Sequence, residues 1–241
     1  HKLRFPVTTT IGSGSIMPMD TIERILTQAV DMGFTGRVQL QYYNEPLLDD
    51  RLPEICQLVK TFPQIVGCDG YPATYFFSNL DLMTPSLAKK LDGVVGLIFG
   101  TLYMDPVAAN KRSLKIYKMF RHTHIVFREG NHYTSHYSPF YDLKSNIRSV
   151  IDEPCTQFND MMIVRFDGEV MHCCEDYGGE FNLGNVNDRS VPDIWNSRRH
   201  QDIVGALSKA GGRRAFEHCR SCPRNNQSCE SRDPYATQQI F

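Results

Sequence analysis

Short β-branched or apolar runs alternate with stretches of helical period over the first 130 residues. Leu3 to Ile11 reads as a strand, and Gly12-Ser13-Gly14-Ser15 breaks it. Asp20 is placed to cap a helix, with Glu23 three residues on completing a capping box. Ile22, Ile25, Leu26, Ala29 and Val30 follow at helical spacing, and Gly33 ends the run. Val38 to Tyr42 reads as a second strand, followed by a helix over Arg51 to Thr61. Ala73 to Phe77 is strand-like, and Thr84-Pro85 opens a helix with proline at its first position. Val94 to Phe99 is a continuous apolar run, as in a strand buried on both faces of a parallel sheet. A helix near Lys111 to Phe120 and a strand over His124 to Phe127 complete the series. Four βα repeats closed by a fifth strand predict an α/β domain with a parallel sheet. This pattern alone leaves a barrel and a doubly wound sheet both open.

The pattern changes after residue 130. Asn131 to Tyr137 is polar and aromatic, suited either to a substrate pocket or to a surface loop. Whether residues 140–150 build a sixth strand is open. Met161 to Phe166 and Glu169 to His172 flank Asp167-Gly168, a good hairpin signal. A helix is expected around Val191 to Asn196. The division expected is 1–150 for the α/β domain and 151–241 for a small cysteine-rich domain of one hairpin and a helix.

Charge changes the picture little. The 241 residues are 41 % hydrophobic, with 26 basic against 27 acidic residues. That balance argues against a protein dominated by phosphate-backbone binding, so no nucleic-acid partner is expected. No apolar run approaches the ~20 residues of a membrane-spanning helix, and no segment reads as a secretory signal. A cytoplasmic, membrane-free protein is the expectation. Residues 189–224 hold eight Arg or Lys against three Asp or Glu. They read as a solvated face, or as a docking surface for an acidic electron carrier such as flavodoxin. Trp195 is expected to anchor the small domain.

Cysteines change the picture most. Six of the eight lie after residue 154, and a chain with this much core does not need disulfide staples. Cys155 and Cys173 flank the hairpin, and Cys219 and Cys222 form a C-x2-C pair. Such a pair aims two thiolates at one ion or cluster, and two more complete four-fold ligation. The set suits zinc and an iron–sulfur cluster equally.

Several motifs carry a resemblance. Pro154-Cys155, Phe166-Asp167-Gly168-Glu169 running to Cys173-Cys174-Glu175-Asp176, Leu183-Gly184-Asn185-Val186, Ile194-Trp195-Asn196 and Cys219-x2-Cys222-Pro223 resemble the SPASM or shorter "twitch" auxiliary-cluster domain of radical SAM enzymes. The resemblance spans residues 154–224. It implies one auxiliary [4Fe–4S] cluster on Cys155, Cys173, Cys219 and Cys222. It also implies a partial (β/α) barrel of about 5–6 parallel strands ahead of the small domain. Tyr43-Asn44-Glu45-Pro46 stands where the family's Gly-Gly-Glu-Pro turn binds the amino group of S-adenosyl-L-methionine (SAM). Asn44 departs from the family glycine. Ser78, Asn79, Thr101 and Arg128 stand where the family contacts the ribose and carboxylate of SAM.

One piece is missing. The family's C-x3-C-x2-C motif, whose three thiolates leave one iron open to SAM, is not in the sequence. His1, Phe5 and Thr8 fall at that spacing, but phenylalanine cannot ligate iron. Only Ser13 to Met19 stand between the first strand and the first helix. Either the cluster loop is lost or the sequence is incomplete around Gly12–Ser13. With the loop, the resemblance implies hydrogen abstraction by a 5′-deoxyadenosyl radical, with dehydrogenation or epimerisation of a sugar or aminocyclitol. In an epimerase, Cys68, Cys174 or Cys229 would return the hydrogen. A peptide-modifying enzyme, a cluster-loop-less binding or partner protein, and a zinc-stapled binding protein are the alternatives.

Overall fold

The structure is a computed structural model. It describes residues 16–41, 44–68, 70–129, 152–156, 159, 161–173, 176, 179–220 and 222. The chain forms two compact units, Leu26–Thr134 with Ser231–Phe241, and His1–Ile25 with Ser135–Glu230. The division falls inside the first helix, α1 (Met19–Asp31). Asp20 lies within the first turn of α1, where its Oδ1 accepts from the Thr21 N–H at 2.6 Å. The helix therefore begins one residue ahead of the expected cap.

The first unit holds a parallel sheet of β1 (Val38–Gln39), β2 (Thr74–Ser78), β3 (Leu97–Leu102) and β4 (His124–Glu129), in the order β1-β2-β3-β4. Helices α2 (Leu52–Lys60), α3 (Pro85–Leu91) and α4 (Pro106–Tyr117) connect successive strands. Every crossover steps to the next strand in the same direction. A doubly wound sheet reverses its order at a switch point, so this is the winding of a partial (β/α) barrel. Four of its strands fall in the described residues. The expected strand at residues 3–11 and the segment 131–150 lie outside them.

All six positions of β3 are buried. Phe76, Ile98 and Leu102 pack toward the helices, against Leu52, Cys56, Leu91 and Ile116. Tyr75, Leu97 and Phe99 share the opposite face with Tyr71, Phe77 and Val126. This two-sided burial is why the run reads as continuously apolar rather than alternating. The strand starts three residues later than expected, because Val94 to Gly96 belong to the turn that closes α3. Thr84 caps α3 by accepting from Leu87 N–H, with Pro85 at the first turn. Asp105 caps α4 from Val107 and Ala108, so that helix starts at Pro106.

The second unit holds an antiparallel sheet of β5 (Ile163–Val164), β6 (Glu169–Met171) and β7 (Asn182–Asn185), in that order. Helices α5 (Val191–Trp195), α6 (Arg198–Leu207) and α7 (Glu217–Arg220) follow, with a 3₁₀ turn at Gly212–Ala215 between the last two. The hairpin forms at Asp167-Gly168, where Gly168 has φ +86°. The side chains of Asn185 and Asn187 both donate to Asp167 O, at 3.0 and 3.1 Å. A Cβ on Gly168 would stand 2.5 Å from each of them. Val170, Phe181, Leu183, Ile194, Ile203 and Leu207 form the core.

Ile98 is fully buried on the helix side of the sheet. Ile98→Ala is expected to destabilise the barrel unit by about 2–5 kcal/mol through lost transfer energy and the cavity left behind. Denaturant unfolding followed by circular dichroism reads that loss.

Candidate functional site

Two groups of residues stand out, one in each unit. The first gathers at the C-terminal end of the parallel sheet, the end where (β/α) barrels place their sites. Glu45 precedes a 3₁₀ turn at Pro46–Leu48. Its Oε1 accepts from the Leu47 N–H at 3.1 Å and from the Ser78 hydroxyl at 2.7 Å. Its Oε2 accepts from the Asn79 N–H at 3.0 Å. The carboxylate thus fastens the loop after β1 to the end of β2. A carboxylate offers about four lone-pair sites, so one remains for a further donor.

Ser78 Oγ in turn accepts from the Leu80 N–H at 2.8 Å. Leu80 is fully buried at φ 59°, a left-handed conformation that non-glycine residues seldom adopt. Arg112 holds it by donating to Leu80 O at 2.8 Å. Its side chain lies over Gly100, where a Cβ would stand 2.4 Å from Leu80 Cδ1. Leu80, Gly100 and Arg112 escape sequence reasoning, because nothing in their local pattern marks a left-handed leucine. Asn79 Oδ1 accepts from the Asp81 N–H at 2.9 Å.

Thr101 and Arg128 are register partners on β3 and β4 and face the same side of the sheet. The Arg128 guanidinium lies over the rings of Phe77 and Phe99, 4.6 and 4.2 Å from their centroids. Those two rings stack on each other at 4.6 Å. The two rings give the guanidinium cation–π contacts at this end of the sheet. Asn44 is exposed on the loop before Glu45, and Pro46 is buried. Tyr43 lies outside the described residues. At the other end of the sheet, Arg37 lies over Tyr71 and Tyr75, and the Tyr75 hydroxyl donates to Gln39 at 2.6 Å.

The second group is the cysteines of the small unit. Cys173, Cys219 and Cys222 are buried, Cys155 is partly so, and none of the four is in a disulfide. Cys155 N–H donates to Leu207 O at 2.7 Å, which ties it to the end of α6. Cys222 N–H donates to Cys219 O at 3.3 Å, closing the C-x2-C turn. Asp176 shapes the loop after Cys173 by accepting from the Glu180 and Phe181 N–H groups, at 3.0 and 2.7 Å. Burial pushes the Cys219 thiol up to about 12, and the charges of Cys222 and Cys155 push the same way. Arg213 opposes them. A thiol buried like that of Cys219 gives up its proton readily only where a positively charged metal centre compensates. The donor set therefore fits an iron–sulfur cluster. Among the described residues no three His, Cys, Asp or Glu side chains stand ready around a single ion. Cys174 and Cys229 lie outside the described residues.

The motif for a second, radical-forming cluster has no counterpart in the barrel unit. Its sequence holds two cysteines. Cys56 is fully buried among Leu52 and Leu91 on the helix side, its thiol pushed up to about 12 by burial. Cys68 precedes β2 at the opposite end of the sheet from Glu45. These residues do not fit a three-thiolate site.

The basic stretch 189–224 is only partly a solvated face. Arg213 is 1 % exposed. Arg199 pins the turn before β7 by donating to Glu180 O and Asn182 O. Arg214 pairs with Asp152, and Arg198 with Asp202. Trp195 is half-buried, with its ring 4.4 Å from that of His200.

Residues 155–223 match SPASM, an iron–sulfur cluster-binding domain. The chain resembles radical SAM enzymes that carry such a domain. It is 22 % identical over 219 residues to the S-adenosyl-L-methionine-dependent 2-deoxy-scyllo-inosamine dehydrogenase of Niallia circulans, a match covering 88 % of this chain and 81 % of that one. Its fold is that of BtrN in complex with AdoMet and 2-DOIA, with a TM-score of 0.65 at 16 % identity over 86 % of this chain and 80 % of the other. Native anSMEcpe with bound AdoMet and Kp18Cys peptide shares it at a TM-score of 0.56 and 12 % identity, over 90 % and 83 %. Among the described residues no helix is long and apolar enough to cross a membrane.

The Glu45 carboxylate is the mechanical centre of its site. Glu45→Ala leaves three donors without their acceptor and is expected to cost about 2–3 kcal/mol. A drop of several degrees in the thermal midpoint, larger than for Glu54→Ala on exposed helix surface, checks this.

Proposed function

We propose that the chain is a SAM-dependent oxidoreductase of the radical SAM class that dehydrogenates a sugar or aminocyclitol. In this reading residues 1–150 bind SAM and substrate, and residues 151–241 hold an auxiliary [4Fe–4S] cluster on Cys155, Cys173, Cys219 and Cys222. The observation that carries it is the pairing of a cluster-binding domain with a fastened Asn-Glu-Pro turn at the sheet end.

The barrel residues divide the work of binding. The remaining lone pair of Glu45, with the backbone carbonyls around Asn44 and Pro46, receives the SAM ammonium. Tyr43 belongs to the same turn. The Arg128 guanidinium, over Phe77 and Phe99, receives the SAM carboxylate. Thr101 and Asn79 meet the ribose. Ser78 both donates to Glu45 and accepts from Leu80, so it acts mainly by holding the turn. Dehydrogenation of a carbinol removes two electrons and two protons and leaves a carbonyl. SAM cleaved by one electron from a radical-forming cluster, whose ligands this sequence does not carry, would supply a 5′-deoxyadenosyl radical to take the substrate hydrogen; an auxiliary cluster on the four cysteines would take the second electron, with the remaining proton lost to solvent. A reducing carrier such as flavodoxin completes the scheme. Dehydrogenation is favoured over epimerisation because the barrel's thiols stand badly for returning a hydrogen. Cys56 is in the core, and Cys68 is at the wrong end of the sheet.

A second reading has its own support. The missing three-thiolate set favours a relative that binds SAM or substrate without cleaving SAM. One experiment separates the two. The complete, anaerobically reconstituted protein is incubated with SAM, dithionite and 2-deoxy-scyllo-inosamine. Formation of 5′-deoxyadenosine with a keto product supports the enzyme. Binding without cleavage selects the second reading, and neither binding nor cleavage contradicts both. Arg128→Lys is expected to weaken SAM binding about tenfold or more in equilibrium dialysis, because an ammonium cannot reproduce a guanidinium's planar fork of donors.

A further inference from the structure

Leu80 is the one described residue other than glycine with a positive φ, 59°, and its side chain is fully buried. A left-handed leucine is disfavoured by the crowding of its Cβ, and such strain persists only where the surroundings impose it. The residues that impose it come from three elements. Ser78 Oγ, at the end of β2, accepts the Leu80 N–H at 2.8 Å. Gly100 of β3 leaves room for the side chain. Arg112, on α4 of the next βα repeat, donates through Nη2 to Leu80 O at 2.8 Å and to Asp81 O at 3.3 Å. Both bonds go to main-chain carbonyls, so Arg112 holds the path of the backbone. That path sets Asn79. The Asn79 N–H donates to Glu45 Oε2 at 3.0 Å. Its side-chain Oδ1 accepts the Asp81 N–H at 2.9 Å, across Leu80, so the amide NH2 is what remains for a ligand. Turning Leu80 to an ordinary negative φ swings Asp81 away from Asn79 and opens that bond.

We propose that Arg112 is a positioning residue for the SAM site, acting by holding Leu80 left-handed so that Asn79 keeps the orientation that meets the ligand. The inference rests on the reading of Glu45 and Asn79 as SAM contacts. The turn has two states in this account. With Arg112 in place, the left-handed one prevails before the ligand arrives. Without it the relaxed one competes, and the affinity falls by the fraction of chains left competent. Glycine removes the competition, because it takes a positive φ without a side-chain clash. Leu80→Gly therefore makes Arg112 dispensable for binding, an outcome that a general loss of stability does not produce.

The test is equilibrium dialysis of SAM against the complete, anaerobically reconstituted chain, well below each variant's thermal midpoint. Arg112→Gln is expected to weaken binding about tenfold. Ile98→Ala, which destabilises the same unit without touching these bonds, is expected to bind as wild type does. Added to Leu80→Gly, Arg112→Gln is expected to change the affinity by less than about twofold. Wild-type affinity in Arg112→Gln overturns the proposal. So does an equal weakening by Arg112→Gln in both backgrounds, because Arg112 would then act other than through Leu80. A matching loss in Ile98→Ala overturns it as well, since stability alone would then explain both. Where Leu80→Gly does not fold, Arg112→Lys decides. Lysine still donates to Leu80 O and is expected to return most of the affinity, and a loss equal to that of Arg112→Gln overturns the proposal. A wild-type chain that binds no SAM overturns the reading of Glu45 and Asn79, and this inference with it.

Discussion

Cysteines packed into one small core, Cys173 and Cys219 with Cys155 against them, impose the constraint on which the C-terminal unit depends. A buried thiol holds its proton far above neutrality, as the Cys219 thiol does. Such a thiol becomes a ligand only if a positive centre replaces its proton. Hydrogen bonds fix the segments that carry the cysteines. The Asn185 and Asn187 amides lock the Asp167-Gly168 hairpin that leads to Cys173. Leu207 O receives the Cys155 N–H, and α7 delivers Cys219. The core of Val170, Phe181, Leu183 and Ile194 is modest, and in the proposed reading a bound cluster would add the folding energy that a small unit lacks.

The barrel unit solves a different problem, that of holding a polar site at the open end of a buried sheet. Glu45 does this by joining two loops through one carboxylate. The conformational cost of Leu80 is carried by Ser78, Arg112 and the space above Gly100. Phe77 and Phe99 serve both the sheet's packing and the orientation of Arg128. Several residues that would align a ligand in the proposed reading are also residues that close the fold, so binding and stability would be coupled there.

Much of this was legible in the sequence, and the gaps have physical causes. The βα alternation was readable because parallel strands buried on both faces are continuously apolar and the helices between them are amphipathic. The Thr84-Pro85 start was read correctly, while the equivalent Asp105-Pro106 start of α4 was passed over. Helix α6 was missed because its buried face includes a histidine, His200, beside Ile203 and Leu207. Strand β7 was missed because Asn182, Gly184 and Asn185 are poor strand formers, with Asn185 bracing the hairpin through Asp167 O. Tyr43, Cys174, Cys229 and the segment 131–137 fall outside the described residues. The structure gathers Glu45, Ser78, Asn79, Thr101 and Arg128 at one sheet end, a convergence that separated motifs announce only through the family resemblance. Arg213 was hidden for another reason: in a basic stretch, one buried arginine looks like its solvated neighbours.

The central claim is that the small unit is built around an iron–sulfur cluster. It is tested most directly by counting iron, acid-labile sulfide and zinc on the anaerobically reconstituted protein, beside its Cys219→Ser variant. The account predicts iron and sulfide in equal amounts, with about four of each assignable to this site and lost in the variant. Zinc without iron, or an iron content untouched by Cys219→Ser, would contradict it.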